Sequence, residues 1–213
     1  MTYIENIYAC LAAPLLIAVI CLKGKPRLSL MFILGGMTAC LLSSYISSFV
    51  AAMTGADALG ASLEISPVVE ELMKIAPILF WLLIYEPPKM EVSIEIVITA
   101  VGFATFENVC YLTSNGAASL RHTVIRGFGT GAMHIVCGMI VALGLLYLWD
   151  RLYLRVAGTI GLVAAAITYH AVYNILVSQT GPVFVIGCFI PMLSVIIMLS
   201  IVRMRLERHT MLR

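Results

Sequence analysis

Six side chains that carry a charge or an amide lie inside stretches otherwise apolar enough to cross a bilayer. They are Glu70, Glu71, Glu107, His134, His170 and Asn174, in PVVEELMKIAP, GFATFENV, GAMHIVCG and ITYHAVYNIL. A charge at the centre of the hydrocarbon costs roughly 2.5–3.5 kcal/mol on insertion scales. Groups of this kind persist there when they pair, line a wet cavity or do chemistry. Adjacent carboxylates in a low-dielectric site cannot both ionise cheaply, so one of them is suited to trade a proton near neutral pH. Lys74, at i+3 from Glu71 and i+4 from Glu70, can hold the other as an anion. An imidazole can share the proton transfer or steady an oxyanion, and an Asn amide one turn from a His completes a donor pair. These parts suit attack of water on a carbonyl, that is, peptide hydrolysis within or beside the membrane.

The same residue types could hold zinc, whose catalytic sites use three protein ligands and a water. No HExxH occurs, so the ligands would have to come from separate helices. Cys137, three residues beyond His134, reads as a core cysteine. The expectation is therefore no cofactor, with zinc as the alternative.

The elements that must position these groups follow from composition. Of 213 residues, 62% are hydrophobic and 11% are charged, against roughly 25% charged in soluble domains. The mean hydropathy is +1.04. The chain reads as one all-α, multi-pass domain of the cell membrane, spanning 1–213. A net charge of +2 gives no reason to expect a nucleic-acid partner. The six cysteines are scattered through apolar runs and read as free thiols. In the first apolar run the basic cluster KGKPR follows the apolar stretch, the reverse of a signal peptide, so this run reads as a retained span.

Spans of about 20 apolar residues fall near 3–22, 28–53, 67–85, 92–113, 124–149, 156–178 and 182–203. An outside N-terminus and a cytoplasmic C-terminus place ten of the thirteen Lys and Arg residues inside. These ten are Lys23, Lys25, Arg27, Lys89, Arg151, Arg155, Arg203, Arg205, Arg208 and Arg213. The 54–66 loop then faces outward, Ser66 is the expected N-cap of the third span, and Glu95 is interfacial. Gly127, Gly129, Gly131 and Gly138 read as close-packing positions. With this topology the polar residues of spans three to six share the outer half of the membrane, where scattered defects would have no reason to share a depth.

EELMK at 70–74, FATFEN at 103–108, His134 and HAVYN at 170–174 resemble the PrsW family of intramembrane proteases, within the wider group of prenyl endopeptidases and bacteriocin-processing proteins. The resemblance covers roughly 66–178. It implies a glutamate-dependent protease that makes an extracytoplasmic-side cut in a membrane-anchored protein, with a single-span anti-sigma factor as the substrate type. It implies Glu70 as the base that activates water, Glu71 as its orienting partner through Lys74, and His170 with Asn174 at the oxyanion. Glu107, a position that carries His in the prenyl endopeptidases, becomes a second acid-base group or the partner of His134. Lys74, Asn108 and Arg126 are the supporting residues. A proton-coupled transporter using the same Glu/His cluster is the alternative.

Overall fold

The computed structural model describes residues 3–116, 119–148 and 152–211, by backbone alone at 152 and 204–211. Arg151 and Arg213 of the charge bias lie outside the described residues, as do the side chains of Arg205 and Arg208. The chain is 92% helical, with no strand among the described residues. The helices are α1 (Ile4–Cys21), α2 (Lys25–Thr54), α3 (Ala58–Gly60), α4 (Ser66–Tyr85), α5 (Lys89–Asn115), α6 (Leu120–Leu148), α7 (Leu152–Ser178) and α8 (Pro182–Met211). A π-helical turn, Ala61–Ile65, joins α3 to α4.

Among the described residues, six helices are long and apolar enough to cross a membrane. The seventh expected span, α4, has the length at 20 residues, but Glu70, Glu71 and Lys74 all fall in it. Its inward stripe explains how it stays among apolar neighbours. Pro67, Glu71, Lys74, Ile75, Ile78 and Leu82 are its buried residues, a single helical face. Glu71 and Lys74 thus travel with the core residues, whereas Glu70 lies about 100° away. Large apolar side chains such as Ile20, Phe80 and Leu83 cover the outside, as a lipid-facing bundle requires.

Several helices run beyond the expected limits: α2, α5, α6 and α7 each begin three to four residues early. Hydropathy marks the apolar part, but backbone hydrogen bonding continues through polar flanks such as Lys89 and Glu91. The 54–66 segment differs more. Ser66 makes no capping bond because helical backbone already precedes it. The cap is Asp57, whose carboxylate accepts from the Gly60 amide at 2.7 Å. Glu95 is packed inside the bundle against α2. It is 4% exposed, and its Oε1 accepts from Ser29 of α2 at 3.0 Å.

Two glycines set the α2–α5 crossing. A Cβ at Gly36 would overlap the Thr99 carbonyl oxygen and lie 2.8 Å from the Phe103 nitrogen. A Cβ at Gly102 would overlap the Ile33 carbonyl and lie 2.9 Å from its Cα. The two backbones touch, as small residues allow in membrane bundles. Of the four α6 glycines expected to pack closely, Gly129, Gly131 and Gly138 face neighbouring side chains within 4 Å, but Gly127 faces open space. All six cysteines are free.

Candidate active site

Four helices bring their polar residues to one place. The antiparallel run sets the start of α4 and α6 beside the ends of α5 and α7, so Glu70, Glu107, Arg126 and His170 share one end of the bundle. The fully buried rings of His134 and His170 meet edge to face, with centroids 5.1 Å apart. Phe103 supports them, its ring 5.0 Å from that of His134 and 5.1 Å from the Lys74 ammonium.

The protons can be placed from donor and acceptor rules. The Lys74 ammonium donates to Glu71 Oε1 at 2.6 Å. Having no lone pair, it must also donate to His134 Nδ1 at 3.0 Å. His134 Nδ1 is therefore bare, and its Nε2 carries the proton shared in a short contact with Glu107 Oε2. The other oxygen of Glu107 accepts from Arg126 Nη2 at 2.9 Å. On the opposite side, Glu71 Oε1 also accepts from His170 Nδ1 at 2.8 Å. His170 Nε2 is then the bare nitrogen, and it faces Glu70 Oε2 at 3.8 Å. That gap is too long for a direct hydrogen bond and suited to a shared donor between two acceptors.

The charges along this ribbon nearly cancel. Lys74 offsets Glu71 and Arg126 offsets Glu107. Glu70 has no cation of its own, and its Oε2 is buried without a hydrogen-bond partner. A buried, uncompensated carboxylate is expensive, which sets Glu70 apart from Glu71 and Glu107.

A cavity of about 330 Å³ opens here, lined by Glu70, Glu107, Arg126, Thr130, His170 and Asn174, among others. Asn174 Nδ2 spends one hydrogen on the Ser62 carbonyl at 2.9 Å, which leaves its second amide hydrogen. Arg126 Nε is buried and unpartnered, while its guanidinium stacks on Tyr111 at 3.7 Å. Asn108 is not brought to the cluster. It lies round the helix from Glu107, in a separate cavity against Gly131 of α6 and Met192 of α8. Tyr173 is a lining residue that pattern reading missed. Its hydroxyl sits 2.9 Å from Thr130 Oγ1, and only its place inside HAVYN hinted at it.

Glu70, His134 and His170 each offer a ligand atom within 4.8 Å of the others, so a metal site can be tested. Glu70 Oε2 and His170 Nε2 are free to ligate. His134 is not, since Nδ1 accepts from Lys74 and Nε2 donates to Glu107. Two free donors fall short of the three protein ligands of a catalytic zinc. The residues as arranged do not fit that metal.

Comparison with known families matches residues 24–203 to one described as PrsW family intramembrane metalloprotease. No curated protein and no solved structure matches the chain.

Proposed function

Since the chain belongs to the PrsW family of intramembrane proteases, we propose that it hydrolyses a peptide bond of a membrane-anchored protein, with Glu70 as the base that activates water. One observation carries the reading: Glu70 is the carboxylate of the cluster without a cation, and it faces a bare imidazole nitrogen across 3.8 Å. A water between them donates one hydrogen to Glu70 Oε2 and the other to His170 Nε2. Both acceptors turn its oxygen lone pairs toward the substrate carbonyl.

As the oxygen attacks, its proton passes to Glu70 and the carbonyl oxygen becomes an oxyanion. The second amide hydrogen of Asn174 and the unpaired N–H of Arg126 border the same cavity and can stabilise that charge. Glu70 then returns the proton to the departing nitrogen, and the C–N bond breaks. Glu71 holds His170 in the tautomer that accepts, much as a buried carboxylate orients a catalytic histidine. Lys74, His134 and Glu107 keep Glu71 and Arg126 in place. The expectation that His170 donates to the oxyanion gives way to a water-positioning role, because its Nδ1 proton is committed to Glu71.

No step passes through a metal, and the full engagement of His134 supports this. The basic residues Lys23, Lys25, Arg27 and Lys89 gather at the far end of the bundle. That supports a cut near the extracytoplasmic face, with single-span proteins such as anti-sigma factors as the substrate type. The family match does not favour the transporter reading.

The test is hydrolysis of a labelled single-span protein in proteoliposomes. Glu70→Gln lowers kcat by about 10²–10⁴-fold, the usual worth of a positioned base, and a strong chelator leaves the wild type unaffected. Full activity in the variant removes the base, and inhibition reversed by zinc makes the enzyme a metalloprotease.

A further inference from the structure

Glu70 stands where two cavities meet. Besides the charged one, a second of about 330 Å³ runs between α2 and the π-helical turn, and the two share Ser62, Ser66 and Glu70. Apart from Glu70, the wall of this second cavity carries no charge and nothing larger than cysteine. Its α2 side is a single helix face, Cys40, Ser43, Ser44, Ser47, Ser48 and Ala51.

Three of the six serine hydroxyls there donate to backbone carbonyls. Ser43 donates to the Cys40 carbonyl at 2.9 Å and Ser48 to that of Ser44 at 2.7 Å. Ser62 donates to the Leu59 carbonyl at 2.9 Å. Ser47 is the buried one that does not. It is 8% exposed, and its Oγ has no hydrogen-bond partner. A helical serine can usually bond back to a carbonyl one turn earlier, and an unpaired buried hydroxyl is costly. Across the same cavity, Glu70 Oε2 is also buried and unpaired.

We infer that this serine-faced groove is the binding site for one side of the scissile bond, and that it takes an extended stretch of small, uncharged residues. The inference rests on the protease reading and adds a substrate class to it. A helix in the membrane satisfies its own backbone. Once unwound for cleavage, its N–H and C=O groups need new partners that lipid cannot offer. Serine hydroxyls supply them, since those that donate internally still accept.

Size decides which side chains enter. From Cys40 to Ala51 the helix rises about 16 Å, matching about five extended residues. The wall of Ser, Ala and Cys side chains is shallow and lets another backbone approach closely, as small residues do between membrane helices. Gly, Ala and Ser bring the substrate backbone within reach of the hydroxyls, whereas Leu and Phe would hold it away. A charged side chain would find no counter-ion along the serine wall. At Glu70, a cationic one would neutralise the base.

The test uses the full chain in proteoliposomes and two synthetic single-span peptides. One has a Leu-rich helix interrupted by Gly-Ala-Ser-Gly-Ala, the other an uninterrupted Leu helix, each with a small diazirine residue at its centre. The interrupted peptide should label the 40–51 face of α2 in wild type and Glu70→Gln alike and be cleaved by wild type alone. The Leu peptide should do neither. Ser44→Leu with Ser48→Leu, both at exposed positions, should raise KM about ten-fold with kcat little changed. Ser47→Ala should raise KM about three- to ten-fold, the worth of one hydrogen bond. Labelling that misses α2, or cleavage indifferent to these serine variants, overturns the groove. Labelling of α2 without cleavage by wild type keeps the groove and overturns the protease reading.

Discussion

Glu70 and Glu71 are neighbours in sequence with opposite relations to stability. Glu71 is bonded to Lys74 and His170, and all three are buried. Removing one charge of a buried pair strands the other, at roughly 3–5 kcal/mol. Glu71→Gln and Lys74→Met should each lower the unfolding free energy by about that much, while the double variant costs clearly less than their sum. Denaturant titration of the purified protein in mild detergent reads this, and additive costs would mean that the pair is not coupled. Glu70→Gln removes a charge that has no partner, so the same titration should show no loss and even a small gain. Activity and stability thus separate at adjacent residues, as expected where a site keeps an unfavourable group for its chemistry.

At the scale of elements, the α2–α5 crossing holds the site in register. α5 carries Phe103 directly after Gly102 and Glu107 more than one turn beyond it, and α2 carries the serine face beyond Gly36. Because a Cβ at either glycine would meet backbone and not a movable side chain, Gly36→Ala or Gly102→Ala must push the helices apart. Overpacking of this kind costs roughly 1–3 kcal/mol. The expected outcome is a lower melting temperature together with a reduced kcat, as Glu107 and His134 lose their short contact. Gly127→Ala, with open space around it, is the control and should change neither. Equal effects at Gly36 and Gly127 would show that helix propensity, and not the crossing, is at work.

For the whole molecule, the distribution of charge predicts orientation. An export-dependent reporter enzyme fused after residue 56 should be active, and one fused after residue 87 inactive, which places the catalytic end of the bundle outside the cytoplasm. The reverse pattern would put the cut on the cytoplasmic face. Helical class, membrane embedding and the identity of the motif residues were legible in the chain, because apolar length and i, i+3 or i, i+4 spacing are local properties. The Glu71–Lys74 bond is one such case. Spacing could not say that Lys74 also holds His134, that Glu107 lies between His134 and Arg126, or that Asn108 turns into another cavity. Nor could it show that Glu70 is left without a cation, or that a serine face of α2 meets it. These depend on the rotation and depth of helices packed against one another, which backbone contacts such as Gly36 against Thr99 decide. Periodicity assigns a residue to a face, and only the neighbouring helix determines what that face touches.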